Sequence, residues 1–243
     1  MLIMNADDWG RSAEETDTAL ACYASGRITS VTAMMFMPDA ERAAELAREY
    51  GLEVGLHLNL SQTFGDARVP CEVATRQARV CHFINAGRYA LLVYNPARRH
   101  DFIDTFRAQY DEFLRLYGRP PTHVDGHHHK HLCSNVLLDD VIPAGHKVRR
   151  SLFFWPGEKS VLNRACRGIT DRVLARRYRV TDYFFALSQC LRGDRLGRVL
   201  SLAASHSVEL MTHPVNDCER AMLLSEDFQQ QLAPLQRGSY ACL

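Results

Sequence analysis

The chain has 243 residues, a formal net charge of +1 and 47% hydrophobic residues. This length allows one domain of barrel size or two smaller ones, and the balanced charge provides no field that would recruit nucleic acid or an acidic membrane surface. No apolar run approaches the ~18 residues of a membrane span, and no secretory signal is recognised at residue 1. Eight cysteines without a CxxC pair indicate reduced thiols. We therefore expect a cytoplasmic protein without nucleic-acid or membrane partners.

The first predicted strand, at residues 2–6, ends in a pair of aspartates. Neighbouring side chains on a strand point to opposite faces of the sheet. Asp7 and Asp8 can therefore converge only if the chain leaves the strand at this point, and Gly10 provides the backbone freedom to do so.

Helices and strands then alternate as far as residue 60. The sequence predicts a helix capped by Ser12 and ended by Gly26, a strand at 28–36, a helix ended by Gly51, and a strand at 53–60. The last strand alternates strictly and places Gly55, His57 and Asn59 on one face. At this point His57 is explained equally well as a structural histidine and as a ligand.

Residues 61–97 show no clear period. We expect a long loop with short local elements here, and such a loop in a compact domain usually serves as a lid or a binding loop. Aromatic residues recur at intervals of three and four from residue 101 to residue 117. This pattern predicts a helix that packs its aromatic face against the core.

Residues 122–131 hold five of the chain's eleven histidines. The run follows a Gly-Arg-Pro-Pro helix stop, so it is predicted to begin as a strand. Its common face would hold His123, Asp125, His127, His129 and, if the strand continues so far, His131, although we expect only the start of the run to lie on the strand. A face this polar requires a metal, a catalytic hydrogen-bond network or solvent.

Two other features of the histidine run are expected. His128 points away from the common face of such a strand, and His131 lies too far along it to reach the same ion as His127. We therefore expect His128 and His131 to be dispensable for a metal site, and the role of His129 is open.

The alternation continues to the end of the chain. The predicted elements are a helix at 134–142, a strand at 146–150, a helix at 158–177, a strand at 181–187, a helix at 195–205, a strand at 208–213 and a last helix from about 225 to before 238. Seven strands with helices between nearly all of them predict a parallel sheet. No long polar linker or internal repeat divides the chain, so we predict an α/β fold in which residues 1–243 form a single (β/α) barrel.

Polar residues occur at the carboxyl ends of four predicted strands, where parallel α/β folds build their sites. They are Asp7, Asp8, His57, Asp125, His127 and His213. A carboxylate with two imidazoles suits Zn²⁺, Mn²⁺, Fe²⁺ or Co²⁺, whereas Mg²⁺ would keep several waters. A second carboxylate can take a proton from water, and a histidine can protonate a leaving group. These groups together predict metal-assisted hydrolysis.

Four stretches resemble the motifs of the YdjC/ChbG-type carbohydrate (chitooligosaccharide) deacetylase family. They are NADDWG at 5–10, GLHLN at 55–59, HVDGHHHKH at 123–131 and MTHP at 211–214, with weaker similarity at 148–149, 181–185 and 238–241. The resemblance implies a distorted (β/α) barrel related to polysaccharide deacetylases. It also implies hydrolysis of an N-acetyl group from an amino sugar or a short N-acetylated oligosaccharide, and a homodimer.

The resemblance extends to the roles of individual residues. By resemblance, the metal ligands are Asp8, His57 and His127, which would hold one Mg²⁺, Zn²⁺ or similar first-row ion per chain. Asp7 resembles the general base, and His213 resembles the acid or transition-state partner. Asp125 is expected to orient a histidine.

The chain also departs from the family pattern. Trp9 stands where Phe is usual, Arg11 stands where an apolar residue is common, and Lys130 replaces an apolar residue. Because residues 61–97 match poorly, the identity of the sugar, its chain length and any aglycone are open. Two other functions are considered: another metal-dependent hydrolase, such as an amidohydrolase or phosphoesterase, and a non-enzymatic metal-binding protein. The first commonly carries an HxH pair on its first strand, where this chain has two aspartates, and the second needs neither Asp7 nor His213.

Overall fold

A parallel sheet forms the centre of the molecule. The computed structural model describes residues 1–87, 89–191 and 193–243. Its strands are β1 (Leu2–Trp9), β2 (Ser30–Ala33), β3 (Val54–Leu58), β4 (Val124–Gly126), β5 (Tyr183–Ala186), β6 (Val208–Thr212) and β7 (Arg237–Gly238). Six of them lie in the order β4-β3-β2-β1-β6-β5, and β7 pairs with the start of β1. Every pairing between these strands is parallel, as predicted.

Helices connect the strands and cover the sheet. They are α1 (Ala13–Ala24), α2 (Ala40–Glu49), α3 (Cys71–Asn85), α4 (Arg99–Tyr117), α5 (Ser134–Leu138), α6 (Val161–Arg177), α7 (Leu187–Cys190), α8 (Arg195–Ala203), α9 (Asp217–Leu224) and α10 (Glu226–Leu232). The predicted caps of α1 are present, because Ser12 accepts a hydrogen bond from the Glu15 N–H and Gly26 adopts a left-handed φ of 67°. Among the described residues, no helix combines the length and apolarity that crossing a membrane requires.

An extended segment connects the two edges of the sheet. Val148 forms a bridge to Val124 in β4, and the Phe153 N–H donates to the Phe184 carbonyl in β5 at 2.9 Å. The segment therefore lies between β4 and β5 and completes a distorted (β/α) barrel. The predicted strand at 146–150 forms isolated bridges and not a regular strand, and β7, which was not predicted, is the seventh strand of the described residues.

The prediction of a long loop at 61–97 is wrong over Cys71–Asn85, which form the 15-residue helix α3. The buried residues of this helix are Gln77, Val80 and Ile84, at helical spacing. Because a glutamine occupies one of these core positions, the apolar periodicity of the helix could not be recognised in the sequence. Its amide is satisfied locally, because Nε2 donates to the Gln62 carbonyl at 2.6 Å. Residue 88 of this segment lies outside the described residues.

Only the start of the histidine run lies on a strand, as expected, but the strand ends at Gly126, so the predicted common face does not extend to His129 and His131. Strand β4 has three residues, and His128 and His129 adopt left-handed φ angles of 53° and 56°. The chain curls so tightly that a Cβ on Gly126 would lie 2.8 Å from Nδ1 of His131. Packing between residues 126 and 131 therefore ends the strand, and the histidines after His127 point in different directions.

Candidate active site and metal centre

Three buried side chains converge at the carboxyl ends of β1, β3 and β4. Oδ1 of Asp8 lies 3.4 Å from Nε2 of His57 and 2.9 Å from Nδ1 of His127. The three residues each offer a ligand atom within 4.8 Å of the others. One carboxylate and two imidazoles form a donor set that can hold a divalent ion and leave positions open.

A bulge in β1 brings both aspartates to this site. Between Ala6 and Trp9 the strand carries one residue more than its partner β2, and Asp8 adopts a left-handed φ of 65°. The bulge breaks the alternation of side chains, so Asp7 and Asp8 both reach the interior. The sequence predicted that the chain leaves regular strand geometry here and assigned the turn to Gly10, whereas the structure places the irregularity already at Asp8.

Asp125 fixes the ring of His57. Nδ1 of His57 lies 2.7 Å from Oδ1 of Asp125, and Nε2 faces Asp8. Burial alone would lower the pKa of His57, but the negative charge of Asp125, followed by that of Asp7, raises this pKa to about 10. Because Asp125 faces Nδ1, Nε2 is the nitrogen at which a metal ion would replace a proton.

Three buried carboxylates contact one fully buried guanidinium, and a fourth carboxylate belongs to the same site. Arg149 contacts both oxygens of Asp7 at 2.7 Å, Oδ2 of Asp125 at 2.7 Å and Oε1 of Glu209 at 2.6 Å. Asp8 adds a fourth carboxylate without contacting Arg149. Such an excess of buried negative charge is costly unless a cation or a protonated histidine compensates it. The residues present therefore fit a bound divalent metal.

Arg149 keeps the Asp7 carboxylate ionised. Burial raises the pKa of Asp7, but the charge of Arg149 outweighs it and lowers this pKa below its ordinary value. Oδ1 of Asp7 also accepts hydrogen bonds from Asn5 at 2.9 Å and Thr32 at 3.3 Å. The weak sequence similarity at 148–149 was the only signal for Arg149, because an arginine in an extended segment is ordinarily a surface residue.

His213 follows β6 and lies at the edge of the same site. Its side chain is 28% exposed, and its Nδ1 lies 3.8 Å from Oε1 of Glu219. The His213 N–H donates to Oε2 of Glu219 at 2.9 Å. Burial would lower the pKa of His213, but Glu219, Asp7 and Asp8 raise it above its ordinary value. Sequence reasoning missed Glu219 because it missed α9, the helix that carries it.

The remaining histidines of the run have separate surroundings. His128 is exposed; its ring centroid lies 3.9 Å from that of His127, and its Nδ1 lies 3.0 Å from Oγ of Ser61. His131 is fully buried, with Nε2 3.0 Å from the Arg149 carbonyl oxygen. His131 was expected to be dispensable because of its distance from the ion. Its buried contact with the Arg149 carbonyl gives it a structural role that this expectation did not include.

Beneath the site, an aromatic pair closes the base of the barrel. The rings of His123 and Tyr240 stack with centroids 3.8 Å apart, and the Tyr240 hydroxyl donates to Oε2 of Glu209 at 2.5 Å. Gly55 makes room for the imidazole, because a Cβ at this position would lie 2.5 Å from the His123 ring. His123 is therefore a packed histidine of the barrel interior, and burial lowers its pKa to about 3.

Fold and site together define a (β/α)-barrel protein with a carboxylate–imidazole centre at its strand ends. Residues 1–239 match the model of the family described as YdjC-like protein. The chain belongs to this YdjC-like family.

Two named relatives illustrate the similarity. The chain is 34% identical over 143 residues to a chitooligosaccharide deacetylase of Proteus mirabilis, a match that covers 56% of this chain and 52% of that protein. It is 31% identical over 255 residues to a carbohydrate deacetylase of Mus musculus, with 88% of this chain and 77% of that protein covered. The match thus spans about half the length of the bacterial relative and most of the mouse protein.

Solved structures share the fold at low sequence identity. An Enterococcus faecalis protein described as a cellobiose-phosphate cleavage protein has a TM-score of 0.68 and 18% identity, covering 99% of this chain and 97% of its own. A mutant of a CE4 family pseudoenzyme with restored activity has a TM-score of 0.50 and 10% identity, and the match covers 98% of this chain and 65% of that protein. These likenesses agree with the distorted barrel.

Proposed function

We propose that this protein is a metal-dependent hydrolase that removes an N-acetyl group from an amino sugar, a short N-acetylated oligosaccharide or a glycoside and releases acetate. The observation that carries the proposal is the convergence of Asp8, His57 and His127 beside an ionised Asp7, with His213 at the edge of the same site. The names of the Proteus and mouse relatives support an acetylated sugar as the substrate class.

The proposed ligands of one divalent ion per chain are Asp8, His57 and His127, and the ion is Zn²⁺, Mg²⁺ or a similar first-row metal. Asp125 orients His57 for this role through the 2.7 Å contact to Nδ1. When bound, such an ion polarises a carbonyl group and lowers the pKa of water.

Asp7 is proposed as the general base. Both of its oxygens are held by Arg149 at 2.7 Å, which fixes the carboxylate in one orientation and keeps it ionised. In this role Asp7 accepts the proton of the water that attacks the acetyl carbonyl carbon.

His213 is proposed as the general acid. Its Nδ1 faces Glu219, so Nε2 remains for the substrate, and its raised pKa favours the protonated ring. His213 donates this proton to the departing amine nitrogen as the C–N bond breaks. Acetate and a free amino sugar are then released.

Acetate release from a panel of N-acetylated sugars and glycosides, with and without a chelator, tests the proposal. We expect His57→Ala and His127→Ala to lose the metal. We expect Asp7→Asn and His213→Ala to keep it and to lose ~10²–10⁴ in turnover. Because Asp7 forms a buried ion pair, its variant should also unfold at a lower temperature, so rates are normalised to folded protein.

His206→Ala is the matched control, because His206 is exposed at the opposite end of β6 from His213. Metal binding without acetate release from any substrate would reject the deacetylase in favour of another hydrolase or a metal-binding protein. Near-normal turnover of Asp7→Asn and His213→Ala per folded molecule would reject their catalytic roles.

We also propose that the protein is a cytoplasmic homodimer. Helix α6 supports the dimer, because Val161, Leu162 and Ile169 are exposed on it and a second copy could cover them. Eight free cysteines are compatible with a reducing compartment. Light scattering on the purified protein measures the oligomeric state directly.

A further inference from the structure

Arg11 contacts the outer oxygen of Asp8. Its guanidinium nitrogen Nη1 lies 3.4 Å from Oδ2 of Asp8 and 3.3 Å from Oε1 of Glu15, and the side chain is 35% exposed. Arg11 follows the turn at Gly10 and precedes α1, and its own N–H donates to the Asp8 carbonyl at 3.1 Å. The backbone thus holds this cation beside the carboxylate.

The two oxygens of Asp8 consequently face opposite partners. Oδ1 faces the nitrogens of His57 and His127, while Oδ2 faces Arg11. A divalent ion bound by Asp8 would therefore share this one carboxylate with the guanidinium. The like charges of the ion and the guanidinium repel each other across the buried Asp8, and a single carboxylate compensates only part of their sum.

Arg11 could also assist metal binding by orienting Asp8, so the two effects must be weighed. A contact of 3.4 Å from a side chain that is 35% exposed is a weak restraint. The bulge in β1 and the contacts to two buried imidazoles already orient the carboxylate. Solvent weakens both effects, but Asp8 is already oriented without Arg11, whereas the repulsion acts on an ion of charge +2 and is therefore the larger effect.

We propose that Arg11 is a positioning residue that competes with the metal for the charge of Asp8 and keeps metal affinity below the value that the three ligands alone would give. The inference rests on the proposed function, because it takes Asp8, His57 and His127 as the ligands. It follows that metal affinity depends on the charge at position 11 and that this dependence is screened by salt.

The test is the dissociation constant of the metal, which needs no substrate. Chelator-treated protein is titrated with Zn²⁺ in competition with a chromophoric chelator, for wild type, Arg11→Met and Arg11→Lys. We expect Arg11→Met to bind Zn²⁺ about 10-fold more tightly at low ionic strength, and the gain to shrink towards 1 M salt, where the Debye length is ~3 Å. Arg11→Lys keeps the charge and should stay within about 3-fold of wild type.

Arg237→Met is the matched control. Arg237 is exposed in β7 and pairs with Leu2, six residues or ~20 Å along β1 from Asp8. This variant removes the same formal charge and should leave the Zn²⁺ affinity unchanged. Thermal melts of each metal-free variant establish that it is folded before titration.

The outcomes separate this inference from the proposed metal site. Unchanged or weaker Zn²⁺ binding by Arg11→Met overturns the role of Arg11, as does an equal gain in Arg237→Met. If wild type binds no ion, or if His57→Ala binds it equally well, the metal site itself is wrong and the inference falls with it.

Discussion

At the scale of single residues, one arginine determines how the carboxylates of the site can act. Arg149 contacts Asp7, Asp125 and Glu209, while Asp8 remains free to face the histidines. The carboxylates therefore have different roles. Asp7 is held ionised, Asp125 orients His57, and Asp8 is directed at the proposed ion. The charges and contacts around each carboxylate distinguish these roles, whereas the residue type alone does not.

The pairing of His213 with Glu219 gives a prediction for the dependence of turnover on pH. Glu219 stabilises the imidazolium and contributes to the raised pKa of His213. Glu219→Gln removes this negative charge but keeps an oxygen that can accept from the His213 N–H. The pKa of His213 should fall, so the proposed acid loses its proton at lower pH. We expect the alkaline limb of the kcat profile to move to lower pH, with KM little changed.

This prediction is checked by pH–rate profiles on metal-saturated protein. Glu226→Gln serves as the control, since Glu226 is exposed in the first turn of α10. An alkaline limb that stays in place or moves to higher pH would contradict the role given to His213.

At the scale of elements, the sequence located most strands and helices but not the points where the chain departs from them. Strands β1, β3 and β6 and helices α1, α2 and α4 lie where periodicity and caps predicted them. The departure from strand geometry near the two aspartates was predicted but assigned to Gly10 and not to Asp8, and the curl after Gly126 and the buried Gln77 of α3 were not predicted. These features depend on pairing with another strand, on close packing between residues 126 and 131, and on a polar side chain in the core, and the hydrophobic periodicity of a sequence shows none of these.

The roles of the candidate site residues followed a similar division. Convergence of Asp8, His57 and His127 could be inferred because parallel strands present their carboxyl ends at one edge. The contacts of Arg149 to three carboxylates could not, because they join distant segments whose register only the folded chain defines, and the contact of Glu219 to His213 could not, because helix α9 was not predicted.

The packing between β3 and β4 gives a prediction for Gly55→Ala. A Cβ there would lie 2.5 Å from the His123 ring and 2.9 Å from Cγ2 of Thr32. The ring cannot move away because it stacks on Tyr240. Overpacking of this kind typically costs ~1–3 kcal/mol, so we expect the free energy of unfolding in urea to fall by about that amount.

Two further variants make the Gly55 measurement decisive. Gly168→Ala in α6 meets no atom within 4 Å and should be neutral or stabilising, as expected for alanine in a helix. In the Gly55→Ala/His123→Ala double variant the clash with the His123 ring is absent, so the loss of unfolding free energy should be smaller than the sum of the two single losses. Strict additivity would show that the ring of His123 is not what Gly55 accommodates.

At the scale of the whole molecule, the last segment of the described chain holds the base of the barrel together. Strand β7 pairs with Leu2 and Ile3, the Lys147 ammonium donates to the Tyr240 carbonyl, and the Tyr240 ring is fully buried against His123. The first and last segments thereby meet beneath the site. The first and last segments therefore both form part of the barrel base beneath the carboxylate–imidazole centre.

Tyr240→Phe tests how much this base contributes to stability. The substitution keeps the stacked ring and removes the hydroxyl that donates to Oε2 of Glu209 at 2.5 Å. Burial already raises the pKa of Glu209, so its carboxylate has lost hydration and depends on protein donors. Leaving such a buried acceptor without its partner costs ~1–3 kcal/mol, which we expect as a lower free energy of unfolding in urea.

Tyr94→Phe is the matched control. The Tyr94 hydroxyl donates to Asp139 at 2.8 Å, but Tyr94 is 39% exposed, so water can replace the bond and the cost should be smaller. Equal losses in both variants would mean that burial adds nothing to the contribution of the Tyr240–Glu209 hydrogen bond, and the special role given to this bond in the base of the barrel would be wrong.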